Sequence, residues 1–121
     1  MKISKLIITA LLILFIPTSA LAGNKTYTKK TYKGIHFLDD VKKVEWYKVE
    51  GEHIIVGWKG LPDDFYTLNY QTALEASKLT RNKVYVWAVR YHQRDWVPGE
   101  GGQICISTAA KGVSVKTNCR K

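Results

Sequence analysis

The chain has 121 residues, with 19 Lys and Arg against 10 Asp and Glu and a formal net charge of +9. That length suits one ordinary domain and leaves too little chain for two independent cores. An apolar fraction of 45%, with only 9 Gly and 3 Pro, excludes a disordered, collagen-like or low-complexity chain.

Two lysines, Lys2 and Lys5, precede an eleven-residue apolar run from Leu6 to Ile16 whose only polar member is Thr9. Pro17-Thr18-Ser19 ends the run, and Ala20-Leu21-Ala22 supplies the small-x-small pattern of a processing site. This layout predicts a secretory signal peptide over residues 1–22, cleaved before Gly23. Eleven residues span about 16 Å as a helix, half of a hydrocarbon core of about 30 Å, so a membrane span is not expected. The mature protein is therefore expected to be exported, periplasmic or secreted, from a bacterial cell.

Residues 23–40 hold Lys25, Lys29, Lys30 and Lys33 and read as a basic N-terminal arm or an edge strand. Residues 41–121 read as a single domain. Val41 to Val49 is the first expected strand, Glu50-Gly51-Glu52 a turn, and His53 to Trp58 the second strand. Gly60-Leu61-Pro62-Asp63-Asp64 breaks the pattern, and Phe65 to Leu68 suits a short third strand. Asn69 is placed as the N-cap of a helix over 70–80, with Tyr70, Ala73, Leu74 and Ser77 on one face. Val84 to Tyr91 is apolar on both faces and reads as a central strand. A glycine-rich loop, 92–102, leads to a hairpin of Gln103 to Thr108 and Val113 to Cys119. Antiparallel strands with one mid-chain helix give an α+β, mostly β class, most simply a small antiparallel OB-like barrel. One helix packed on an open sheet is the other architecture that fits.

Cys105 and Cys119, the two cysteines, read as one disulfide in an oxidising compartment. A hairpin register with Ser107 opposite Thr117 would bring them face to face. Charge is distributed unevenly. Loss of Lys2 and Lys5 with the signal peptide leaves 17 basic and 10 acidic residues, a net +7. Residues 23–38 and 111–121 each carry +4, around a middle of −1. A near-neutral middle disfavours a nucleic-acid groove.

Candidate ligand contacts concentrate after the central strand. Tyr91, His92, Arg94 and Trp96 place stacking surface, an imidazole and a forked donor within six residues of a loop. Trp46, Trp58 and Trp87 fall in strands, where packing is the default. His36, His53 and His92 have no metal-ligand spacing, so no metal and no cofactor is expected. A small-ribonuclease arrangement would need Glu52 and His53 to meet His92 and Arg94 in space.

The segment NYQTALEASKLTRNKVYVWAV (residues 69–89) followed by QICI (103–106) resembles the helix-then-strand unit of exported OB-fold proteins. These are the pertussis-like and subtilase-cytotoxin-like toxin B subunits and their small secreted relatives. The resemblance implies an exported barrel that binds glycans, with a homopentameric ring as its assembly. Those subunits typically carry a disulfide in the first strands, whereas both cysteines here follow the helix. The leading expectation is a non-catalytic protein that recognises a glycan through exposed aromatic residues. The alternatives are a periplasmic factor that binds an envelope protein, such as an inhibitor or a secretion or conjugation accessory, and a small secreted ribonuclease.

Overall fold

The computed structural model of the chain describes residues 28–121. The expected signal peptide lies outside the described residues. Residues 28–35 form a helix, α1, that runs into a 3-10 turn at His36–Asp40. Thr31, Ile35 and Leu38 recur at spacings of four and three, so one side of this segment is buried while Lys29, Lys30 and Lys33 face outward. The described part of the expected arm is thus a helix docked on the core, not an edge strand. The Tyr32 hydroxyl holds it to the sheet by accepting the Val49 N–H at 3.2 Å.

Five strands follow, β1 (Val44–Glu50), β2 (His53–Trp58), β3 (Lys83–Arg90), β4 (Cys105–Ala110) and β5 (Ser114–Thr117), with helix α2 (Phe65–Thr80) between β2 and β3. They form one sheet in the order β1-β2-β3-β4-β5. β1 pairs with β2, β3 with β4, and β4 with β5 antiparallel, but β2 and β3 are parallel. The class is α+β and mostly β, as expected. The ladder starts at β1 and stops at β5, so the sheet is open among the described residues and does not close into the OB-like barrel.

The parallel step follows from the length of α2. Phe65 to Leu68, expected as a short strand, is its first turn, and Phe65 packs edge-on against Trp58 at 4.9 Å. Sixteen residues then span about 24 Å, enough to carry the chain from the end of β2 back to the start of β3. Asn69 is consequently inside the helix, where its amide donates to the Phe65 carbonyl at 3.2 Å, and Asp64 takes the N-cap position. The buried face is Phe65, Asn69, Thr72, Ala73, Ala76 and Ser77, and Tyr70 is exposed. Mostly small side chains let α2 lie close on β3, β4 and β5.

Alternation along the strands builds two layers. Ile54, Val56, Trp58, Val84, Val86 and Ala88 meet α1 and α2 in the main core. On the other sheet face Ile55 and Val89 pack with Trp96, Trp46 and Trp87. β3 is therefore central and covered on both sides. Ser107 pairs with Thr117, and Cys105 and Cys119 are joined as that register requires, with Cα atoms 5.0 Å apart. No helix among the described residues is long and apolar enough to cross a membrane.

Candidate functional site

Because β2 and β3 run parallel, their carboxyl ends lie side by side, with Trp58 opposite Arg90. From there the chain turns into α2 on one side and into the 91–104 loop on the other. Divergent exits from neighbouring parallel strands leave a gap, the usual ligand position in open sheets of this kind. Here the gap is a crevice of about 240 Å³ lined by Trp58, Gly60, Leu61, Arg90, Tyr91, His92 and Ile104.

Each wall is held by backbone geometry. Tyr91 extends the parallel ladder by donating its N–H to the Trp58 carbonyl at 3.0 Å, and its own carbonyl accepts the Trp46 indole N–H at 2.6 Å. The Gln93 side chain accepts the Arg90 N–H at 2.9 Å while the Gln93 N–H donates to the Arg90 carbonyl, closing a tight turn around Tyr91 and His92. Gly60, with φ of +94°, lets the β2 exit bend where a side chain would be strained.

The Tyr91 ring is 41% exposed, meets the His92 imidazole edge-on at 5.7 Å, and has the Lys59 ammonium 5.7 Å from its centre. Trp58 is 2% exposed, and its indole N–H is buried without a hydrogen-bond partner among the described residues. The other three indoles are engaged. Trp46 donates to Tyr91, Trp87 to Nδ1 of His53 at 3.0 Å, and Trp96 to the Gly101 carbonyl at 2.8 Å. The crevice thus joins an exposed aromatic ring and the side chains of Arg90 and His92, with Trp58 in its wall.

The structure divides the four residues expected as ligand contacts. Tyr91 and His92 line the crevice. Arg94 lies on the second sheet face, its guanidinium 5.9 Å from the Trp46 ring and its carbonyl accepting from Lys48 at 3.0 Å. Trp96 is 3% exposed and packs on Trp87 at 5.2 Å, so it anchors the loop and offers no surface for stacking. Trp58, Arg90, Gly60, Leu61 and Ile104 were missed because their convergence depends on the parallel pairing. The nearest sequence signal was Gly60 directly after the HIIVGW strand and its following lysine.

The ribonuclease arrangement is not assembled. His53 opens β2, level with Tyr85, and His92 lies past the opposite end of β3 at Arg90, which is five residues or about 17 Å along the strand. No three His, Cys, Asp or Glu side chains among the described residues gather as metal ligands. Comparison with protein-family models, with curated proteins and with solved structures gave no match.

Proposed function

We propose that this is an exported, non-catalytic binding protein whose crevice recognises a glycan. A sugar ring presents a C–H face that stacks on an aromatic side chain and hydroxyls that need fixed donors and acceptors. The observation that carries the reading is the exposed Tyr91 ring beside His92 and Arg90 in one crevice. Arg90 and His92 line the same crevice and carry the polar groups that hydroxyls need. A volume of about 240 Å³ lies just below the usual range of ligand sites, so it suits at most one sugar unit and not an extended chain. The intramolecular disulfide supports export to an oxidising compartment, periplasmic or extracellular.

The site assignment is tested on a printed glycan array with the mature protein. Tyr91→Ala should weaken saccharide binding at least tenfold, and Arg94→Ala should leave it unchanged. Parent-like binding by Tyr91→Ala, or loss in Arg94→Ala, would move the site elsewhere. The resemblance to toxin B subunits adds a ring of five copies, for which light scattering of the mature protein is decisive. A fivefold mass supports the ring, and a monomer removes it while leaving the crevice as a single-chain site.

A further inference from the structure

The opposite end of the sheet carries a different surface, built around the β4–β5 turn. Lys111 and Gly112 take positive φ of 53° and 70°, as the mirror-image hairpin turns require. The Val113 N–H closes the turn on the Ala110 carbonyl at 3.1 Å. The last turn of α2 braces it, since the Gly112 N–H donates to the Ser77 hydroxyl at 2.8 Å and Lys78 packs against Gly112. This rigid turn projects Val113, which at 83% is the most exposed large apolar side chain among the described residues.

Cations surround that tip. Lys78, Arg81 and Lys111 line a concavity of about 410 Å³ on the helix side. Lys83 and Lys116, with Thr108 and Ser114, line another of about 210 Å³ on the sheet side. The acid nearest in this set is Glu75, 3.5 Å from Lys78 and exposed. Glu50 and Glu52 stand at the same end in the β1–β2 turn, where the Glu52 carbonyl accepts the Tyr85 N–H of β3 at 2.9 Å. Lys78, Arg81, Lys111 and Lys116 thus flank one exposed valine.

We propose that the β4–β5 hairpin docks on an anionic phospholipid surface, with Val113 entering the interface and the flanking Lys and Arg groups meeting headgroup phosphates. Cations draw a protein to such a surface, and a projecting aliphatic group gains by leaving water there. A soluble polyanion would satisfy the cations but would bury nothing at Val113, which is why a lipid surface is favoured. The proposal is independent of the glycan reading, because the turn lies about 26 Å from the crevice along β3, eight residues long.

The test is cosedimentation of the mature protein with phosphatidylcholine vesicles, with and without phosphatidylglycerol. Binding is expected only with phosphatidylglycerol. Neutralising two cations in Lys111→Gln/Lys116→Gln should weaken it about thirtyfold, since each cation near the surface contributes roughly a factor of five. Val113→Ser should weaken it about tenfold, and because that side chain stands in solvent the variant keeps its fold even if the double variant does not. Lys29→Gln/Lys30→Gln on α1, an equal loss of charge, should change binding less than fivefold, and Tyr91→Ala should not change it. Four results would each overturn the proposal: no binding, equal binding to phosphatidylcholine alone, an α1 variant as weak as the hairpin variant, or full binding by Val113→Ser. So would a single-stranded oligonucleotide that displaces the vesicles and binds Val113→Ser as tightly as the parent.

Discussion

Tyr91 and Trp58 both line the crevice, one exposed and one buried, while Trp96, from the same loop as Tyr91, is committed to packing. That difference sets opposite outcomes for their removal. Trp96→Ala deletes a buried indole that touches Trp87 and bonds Gly101, and should destabilise the protein by about 3–5 kcal/mol in chemical denaturation. A loss below 1 kcal/mol would contradict its role as loop anchor. Tyr47 makes a separate prediction about pH. Its phenol is pushed up from 10.0 to about 12, first by burial and then by the hydrogen bond it donates to Asp39 at 2.6 Å and the charge of that carboxylate. The unfolded chain ionises at 10.0 while the folded one resists, so the stabilisation is complete below pH 10 and is lost as pH rises towards 12. The stability difference between the parent and Tyr47→Phe should hold steady to about pH 10 and shift against the parent above it. A difference constant from pH 9 to 12 would show that Tyr47 titrates alike in both states.

Among the elements, β3 and the β4–β5 hairpin were legible in the sequence because local pattern determines them. VYVWAV is apolar on both faces, and alternation plus the two cysteines set the Ser107–Thr117 register. The start of α2 was not legible, since Phe-Tyr-Thr-Leu favours strands locally, whereas the fold packs Phe65 on Trp58 and starts the helix at the Asp64 N-cap. That five-residue difference in helix length converts an expected antiparallel neighbour into a parallel one, and the crevice exists only in the parallel arrangement. In α1, lysine and threonine hid the Thr31, Ile35, Leu38 spacing that seats the helix. The hairpin disulfide also has a consequence at this scale. It closes a loop of about 15 residues, so Cys105→Ser/Cys119→Ser should cost about 3 kcal/mol and lower the Tm by roughly 10–20 °C. Because Ile104, adjacent to Cys105, lines the crevice, saccharide affinity should fall in the same variant at temperatures where it remains folded. Unchanged thermal stability would show that the pairing of β4 with β5 needs no covalent bond.

At the scale of the molecule, the two ends of one open sheet carry different chemistry. Strand exits at the carboxyl ends of β2 and β3 form a crevice with an aromatic wall, and the far end presents a cationic hairpin. Net charge gives no hint of this polarity, because a total does not say at which end of the sheet its cations lie. The crevice claim is tested most directly by nitrogen-15 spectra of the four tryptophan indoles during titration with the saccharide selected on the array. Three of the indoles are held by Tyr91, His53 and Gly101, and among the four tryptophans only Trp58 lines the crevice. The expected result is a large, saturable shift of the Trp58 indole with Trp96 unmoved. A shift confined to Trp96 or Trp87, with Trp58 silent at saturation, would contradict the crevice as the binding site.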